Sequence, residues 1–110
     1  MLKINLFNQK LECQKACYLN GRLAIVLIDP ESNELYTTLT VNIDAHIPGE
    51  SGKEAFINHQ YGENYKQLIQ SIIDADLAEE TPVMAGFSGF NEYLALRFKD
   101  AALEQMIECQ

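Results

Sequence analysis

Apolar residues recur at every second position through the first 43 residues and at helical spacing further on, so the pattern predicts strands first and helices later. In "LKINLF" the alternate set is Leu2, Ile4 and Leu6; in "KLECQKACYL" it is Leu11, Cys13 and Cys17, interrupted by Lys15, which suits a partly exposed strand. Asn20-Gly21 follows, a pair that tolerates positive φ and so predicts a tight hairpin turn. "RLAIVLI" is apolar on both faces, Leu23, Ile25 and Leu27 against Ala24, Val26 and Ile28, as expected of a central strand covered on two sides. After the turn "DPESNE", the stretch "LYTTLTVNI" alternates as one strand, with Leu35, Leu39, Val41 and Ile43 inward.

From Asp44 to Tyr61 no period is sustained, and a connection of that length predicts either a function or a short element of its own. "KEAFINHQY" is the candidate, as one helical turn or an edge strand. "ENYKQLIQSIIDADLAEE" then places Tyr65, Leu68, Ile69, Ile72 and Ile73 at helical spacing, with Lys66, Gln67, Gln70, Ser71 and Asp74 elsewhere on the wheel. This predicts a helix over 63–78, stopped by Thr81-Pro82 and laid on the doubly apolar strand. "MAGFSGF" suits a turn into the strand "NEYLALRF", and Leu103, Met106 and Ile107 predict a short terminal helix. The fold expected is a single α+β domain over residues 1–110: an antiparallel meander sheet of four or five strands, one long helix packed on a face, and a short C-terminal helix.

At 110 residues the chain is long enough for one hydrophobic core without disulfides or metal. It has no run of eighteen apolar residues, and its start alternates where a signal peptide would be continuously apolar, which predicts a cytoplasmic protein with no membrane partner. Cys13, Cys17 and Cys109 are an odd number and form no two-residue-spaced pair, so free thiols are expected. On one strand Cys13 and Cys17 would lie roughly 13 Å apart, too far to bridge.

The net charge of −8 is unevenly placed: seven acids and five bases in residues 1–60, nine acids and three bases in 61–110. Such a balance argues against direct nucleic-acid binding, which needs cations to displace counterions, and favours solubility or a basic partner. The acids on and after the predicted helix, Glu63, Asp74, Asp76, Glu79 and Glu80, are the candidate partner-binding residues, since a row of carboxylates can imitate nucleic-acid phosphates; the plainer reading is a solvated surface.

Other motifs fail on inspection. "PGESGKE" suggests a phosphate-cradling loop, but that loop needs glycine five residues before Gly52, where Ile47 stands, and a hydroxyl after Lys53, where Glu54 stands. His46 and His59 are thirteen residues apart and too few for a metal site. Ser88 in "GFSGF" has Phe90 where a nucleophile elbow has glycine, so its glycines are read as permitting a turn and a close approach of backbone. No catalytic, metal-binding or cofactor-binding residue is assigned, and an enzyme is not expected.

"YLNGRLAI", "TLTVN", "YGEN" opening a helix, and Ser-Gly-Phe before the last predicted strand resemble a family of small proteins of unknown function found on bacterial plasmids, conjugative elements and phages. The resemblance runs from about Ile4 to Phe98 and carries no catalytic residue. It implies a non-enzymatic binding protein of a mobile element, acting stoichiometrically on a host nucleic-acid-handling or defence protein, restriction or CRISPR included, through the acidic surface. The alternative is a structural or self-associating accessory module whose charge serves solubility.

Overall fold

The computed structural model describes residues 1–6, 8–59 and 64–109. Its strands are β1 (Leu2–Leu6), β2 (Gln9–Cys17), β3 (Leu23–Asp29), β4 (Glu34–Thr38), β5 (Thr40–Val41), β6 (Glu54–Ile57), β7 (Met84–Ser88), β8 (Asn91–Arg97) and β9 (Ile107–Glu108); its helices are α1 (Tyr65–Asp74) and α2 (Asp100–Gln105). The α+β class and the antiparallel meander of β1 to β4 agree with the pattern, but the strands form two sheets rather than one. The first has the order β1-β2-β3-β4, with β9 added in parallel beside β2, and the second has the order β5-β6-β8-β7.

The two sheets arise where "LYTTLTVNI" breaks. Its single period does not hold, because the chain leaves the first sheet at Leu39 and enters the second at Thr40. Leu39 joins both: its N–H donates to the Ile25 carbonyl and its own carbonyl accepts from the Asn58 N–H, each at 2.9 Å. Beyond it, the Thr40 hydroxyl oxygen accepts from the Ile25 N–H at 3.1 Å. β6 is therefore neither an isolated helical turn nor an edge strand; it lies between β5 and β8, and all four of its residues are buried.

The core lies between the sheets and α1. Ile4, Leu11, Cys13, Leu23, Ile25 and Leu27 of the first sheet pack with Ala55, Ile57 and Leu96 of the second and with Leu68, Ile69 and Ile72 of α1. Burying each of these large side chains contributes roughly 1.5–3 kcal/mol. The other apolar set of β3 lies outside this cluster, with Ala24 and Ile28 buried and Val26 half-buried. A smaller cluster on the far face of the second sheet joins Ile43 and Ile47 of the long connection to Phe56 and Ala95. Gly86 is required there, because a Cβ at that position would stand 2.8 Å from the Phe56 ring. "MAGFSGF" thus supplies a strand, β7, before its turn at Gly89.

The helix is shorter than its period predicts, 65–74 instead of 63–78. Asn64 caps it by accepting the N–H groups of Lys66 and Gln67. At the other end Asp76 adopts φ 63°, its N–H donates to Ile73 and the Leu77 N–H donates to Ile72, a Schellman closure with Ile72 and Leu77 both in the core. Pro82 lies too far along to be the stop. α2 likewise ends at Gln105, and Ile107 pairs with Gln14 in β9 instead of extending it.

Candidate functional site

The sequence-derived acidic residues are not a row on one helix. Asp74 is the last residue of α1 and accepts from Gln70 Nε2 at 2.8 Å, while Asp76, Glu79 and Glu80 follow on the connection to β7. Glu63 lies outside the described residues. What gathers these carboxylates is the end of β8 and the start of α2. Lys99 binds Asp76, Lys53 binds Asp100 at 2.9 Å, and Arg97 Nε stands 3.9 Å from Glu79. The Glu79 N–H also donates to the Arg97 carbonyl at 2.8 Å. The patch comprises Asp76, Glu79 and Asp100 with the cations Lys53, Arg97 and Lys99 interleaved, and Asp74, Glu80 and Glu104 stand on the same chain segments. Counting Glu54 beneath it, four carboxylates face three cations, a surplus of one negative charge, to which Asp74, Glu80 and Glu104 add three along the same segments of chain. The side chains of Asp76 and Glu79 are 80% and 51% exposed, so both present charge to solvent despite their partners.

Glu54 gives the lookalike phosphate loop its true role. The loop does bind an oxyanion, namely the carboxylate of Glu54 itself. One oxygen accepts the Ser51 N–H at 2.7 Å and the Lys53 N–H at 3.2 Å; the other accepts the Ser51 hydroxyl at 2.8 Å and Arg97 Nε at 2.5 Å. Gly52, at φ 89°, permits the chain to curl its amides inward. Burial alone would push the Glu54 carboxyl up; the hydrogen bonds from Arg97 and Ser51, with the Arg97 charge, more than reverse this and hold it at about 2.

The long connection is fastened a second time by Arg22. Its Nε and Nη2 donate to Glu50 at 2.8 and 3.1 Å, its Nη1 to the Ile43 carbonyl at 2.8 Å, and Nη2 also to the Ala45 carbonyl at 3.0 Å. Its guanidinium lies 5.6 Å from the centroid of the Phe56 ring. The stretch 43–53 is therefore a folded cover over the second sheet, with Glu50 engaged by Arg22.

The two histidines do not meet. His46 is exposed on that cover, whereas His59 stacks on Tyr65 at 4.0 Å between ring centroids and approaches the Glu92 carbonyl at 2.7 Å through Nε2. Among the described residues no group of three or more His, Cys, Asp or Glu is placed to hold a metal. Cys13 is buried, which together with the Glu12 charge pushes its thiol up to about 12; Cys17 and Cys109 are exposed and free. Among the described residues no helix is long and apolar enough to cross a membrane.

One recess was missed by the sequence reading. It is a groove of about 510 Å³ between β1 and α1, lined by Asn5, Asn8, Gln67, Gln70 and Ser71 and floored by Leu6 and Leu68. A neighbouring hollow of about 440 Å³, bounded by Lys3, Asn5, Ser71 and Asp74, continues it toward the acidic patch. The polar positions on the α1 wheel carried this signal, since Gln67, Gln70, Ser71 and Asp74 share one face. Comparison of the chain with protein-family models, with curated proteins and with solved structures finds no match.

Proposed function

We propose that this chain is a non-enzymatic binding protein of a mobile genetic element, engaging a basic host protein stoichiometrically through the acidic patch around the end of α1. The mobile-element setting rests on the sequence resemblance, and inhibition of a nucleic-acid-handling or defence protein follows from that setting. The observation that supports the reading is the gathering of Asp76, Glu79 and Asp100 at Lys53, Arg97 and Lys99, with Asp74, Glu80 and Glu104 on the same chain segments, so that acids outnumber cations there. Such a field steers a basic surface toward it and weakens with salt.

The test is capture from host lysate at low and high salt, with Asp74→Asn/Glu80→Gln beside Asp76→Asn/Glu79→Gln. We expect one basic partner, released by salt and lost when Asp74 and Glu80 are neutralised, because neither forms an ion pair among the described residues that would offset its charge. Equal capture by all variants would sink the reading. The second reading, a structural accessory module whose charge serves solubility, is favoured by the internal pairs Lys99–Asp76 and Lys53–Asp100 and predicts that same equality.

A further inference from the structure

We infer that the open side of β1 takes an extended segment of a protein partner as an added strand, lying in the groove beside α1 with a basic residue over Asp74. The register decides which backbone groups are on offer. Leu6, Ile4 and Leu2 stand opposite Gln9, Leu11 and Cys13 and exchange both hydrogen bonds with β2, while Lys3 and Asn5 are the wide pairs whose N–H and C=O point away from it. The pairing further along β2 has the same parity, since the Lys15 carbonyl, two residues beyond Cys13, accepts from Cys109 on that same side. β1 has no second neighbour strand among the described residues. Two donors and two acceptors, spaced two residues apart, match the main chain of a strand.

The facing wall narrows the chemistry. Gln67, Gln70 and Ser71 can each donate and accept, which suits polar side chains on the added strand rather than apolar ones. At the Lys3 end the groove opens onto Asp74, and on a chain of net charge −8 complementarity asks for a Lys or Arg at that end of the ligand. Lys3 itself sits opposite Glu12 in the register. A second copy of this chain is the poorer occupant, because it would bring together two molecules of net charge −8. This inference rests on the acidic-surface reading for the charge of the ligand, and on the β1 register for its conformation.

The probe is a displayed library of random peptides of about twelve residues, selected against the full chain. Proline at residue 5 removes an outward N–H while breaking no bond to β2, so Asn5→Pro should keep the native melting curve; Asn5→Ala removes only the side chain. We expect enriched peptides rich in Lys or Arg, bound about tenfold more weakly by Asn5→Pro, nearly unchanged by Asn5→Ala, and slowing amide exchange at Lys3 and Asn5. Peptides that leave those two amides exchanging freely and bind Asn5→Pro as well as the native chain would overturn the strand-addition inference, as would failure to enrich any peptide. Peptides that protect both amides yet ignore salt and the Asp74→Asn/Asp76→Asn change would instead overturn the acidic-surface reading. Self-association abolished by Asn5→Pro would replace the partner with a second copy and overturn the inference.

Discussion

Glu54 is fully buried and satisfied from four directions, by two backbone amides, a hydroxyl and a guanidinium. A carboxylate held at about 2 stabilises the fold wherever the unfolded chain would bind more protons than the native one. That stabilisation is complete above the ordinary carboxylate range and fades as the pH falls toward 2. We expect Glu54→Gln to lower stability by about 2–3 kcal/mol at neutral pH, because Arg97 keeps solvent access and loses only part of what a fully buried partner would lose. Urea titrations at several pH values check this: the gap between native and variant midpoints should close between about pH 5 and pH 2. A gap independent of pH would show that Glu54 acts by shape alone. The sequence made the loop visible but misdirected its reading, since "GESGKE" names donors without saying whose anion they hold. Only the fold brings Arg97 to Glu54, 43 residues away.

At the scale of elements, the sequence was legible where a period ran uninterrupted. β1, β3 and β8 follow their patterns, β2 does so for Leu11 and Cys13 but leaves Cys17 exposed, and the Asn20-Gly21 turn lies where its backbone freedom is used, with Gly21 at φ 83°. It was less legible where tertiary contacts end an element early. "SIIDADLAEE" keeps helical composition past residue 74, yet the closure at Asp76 turns Leu77 into the core and ends α1. A glycine there would have announced the stop; an aspartate hides it, because it adopts the left-handed region at a cost. We therefore expect Asp76→Gly to leave α1 unchanged and to alter stability by no more than about 1 kcal/mol in either direction, the relief of backbone strain offsetting the exposed Lys99 pair. Thermal melts in low and high salt separate the two, since salt screens only the ion pair. Breakage of "LYTTLTVNI" at Leu39 was hidden for a similar reason: alternation persists through it while its hydrogen-bond partners change sheet. The candidate site was legible as composition only. The acids were countable, but their gathering around Lys53, Arg97 and Lys99 and the groove along β1 depend on contacts between distant segments.

At the scale of the molecule, Leu39 links the two sheets, fully buried and bonded on one side to Ile25 and on the other to Asn58. Leu39→Ala would remove apolar contacts from the shared core, and we expect a loss of about 2–4 kcal/mol. Backbone dichroism and tyrosine fluorescence should report the same shifted midpoint; two separated transitions would show that the sheets hold together independently. Because the same buried residue is bonded on one side to Ile25 and on the other to Asn58, opening either sheet pulls on a residue that the other holds. We therefore expect the two sheets to unfold together. A protease acting at random on the native chain should yield intact protein and small peptides in succession, with no long-lived fragment corresponding to either sheet.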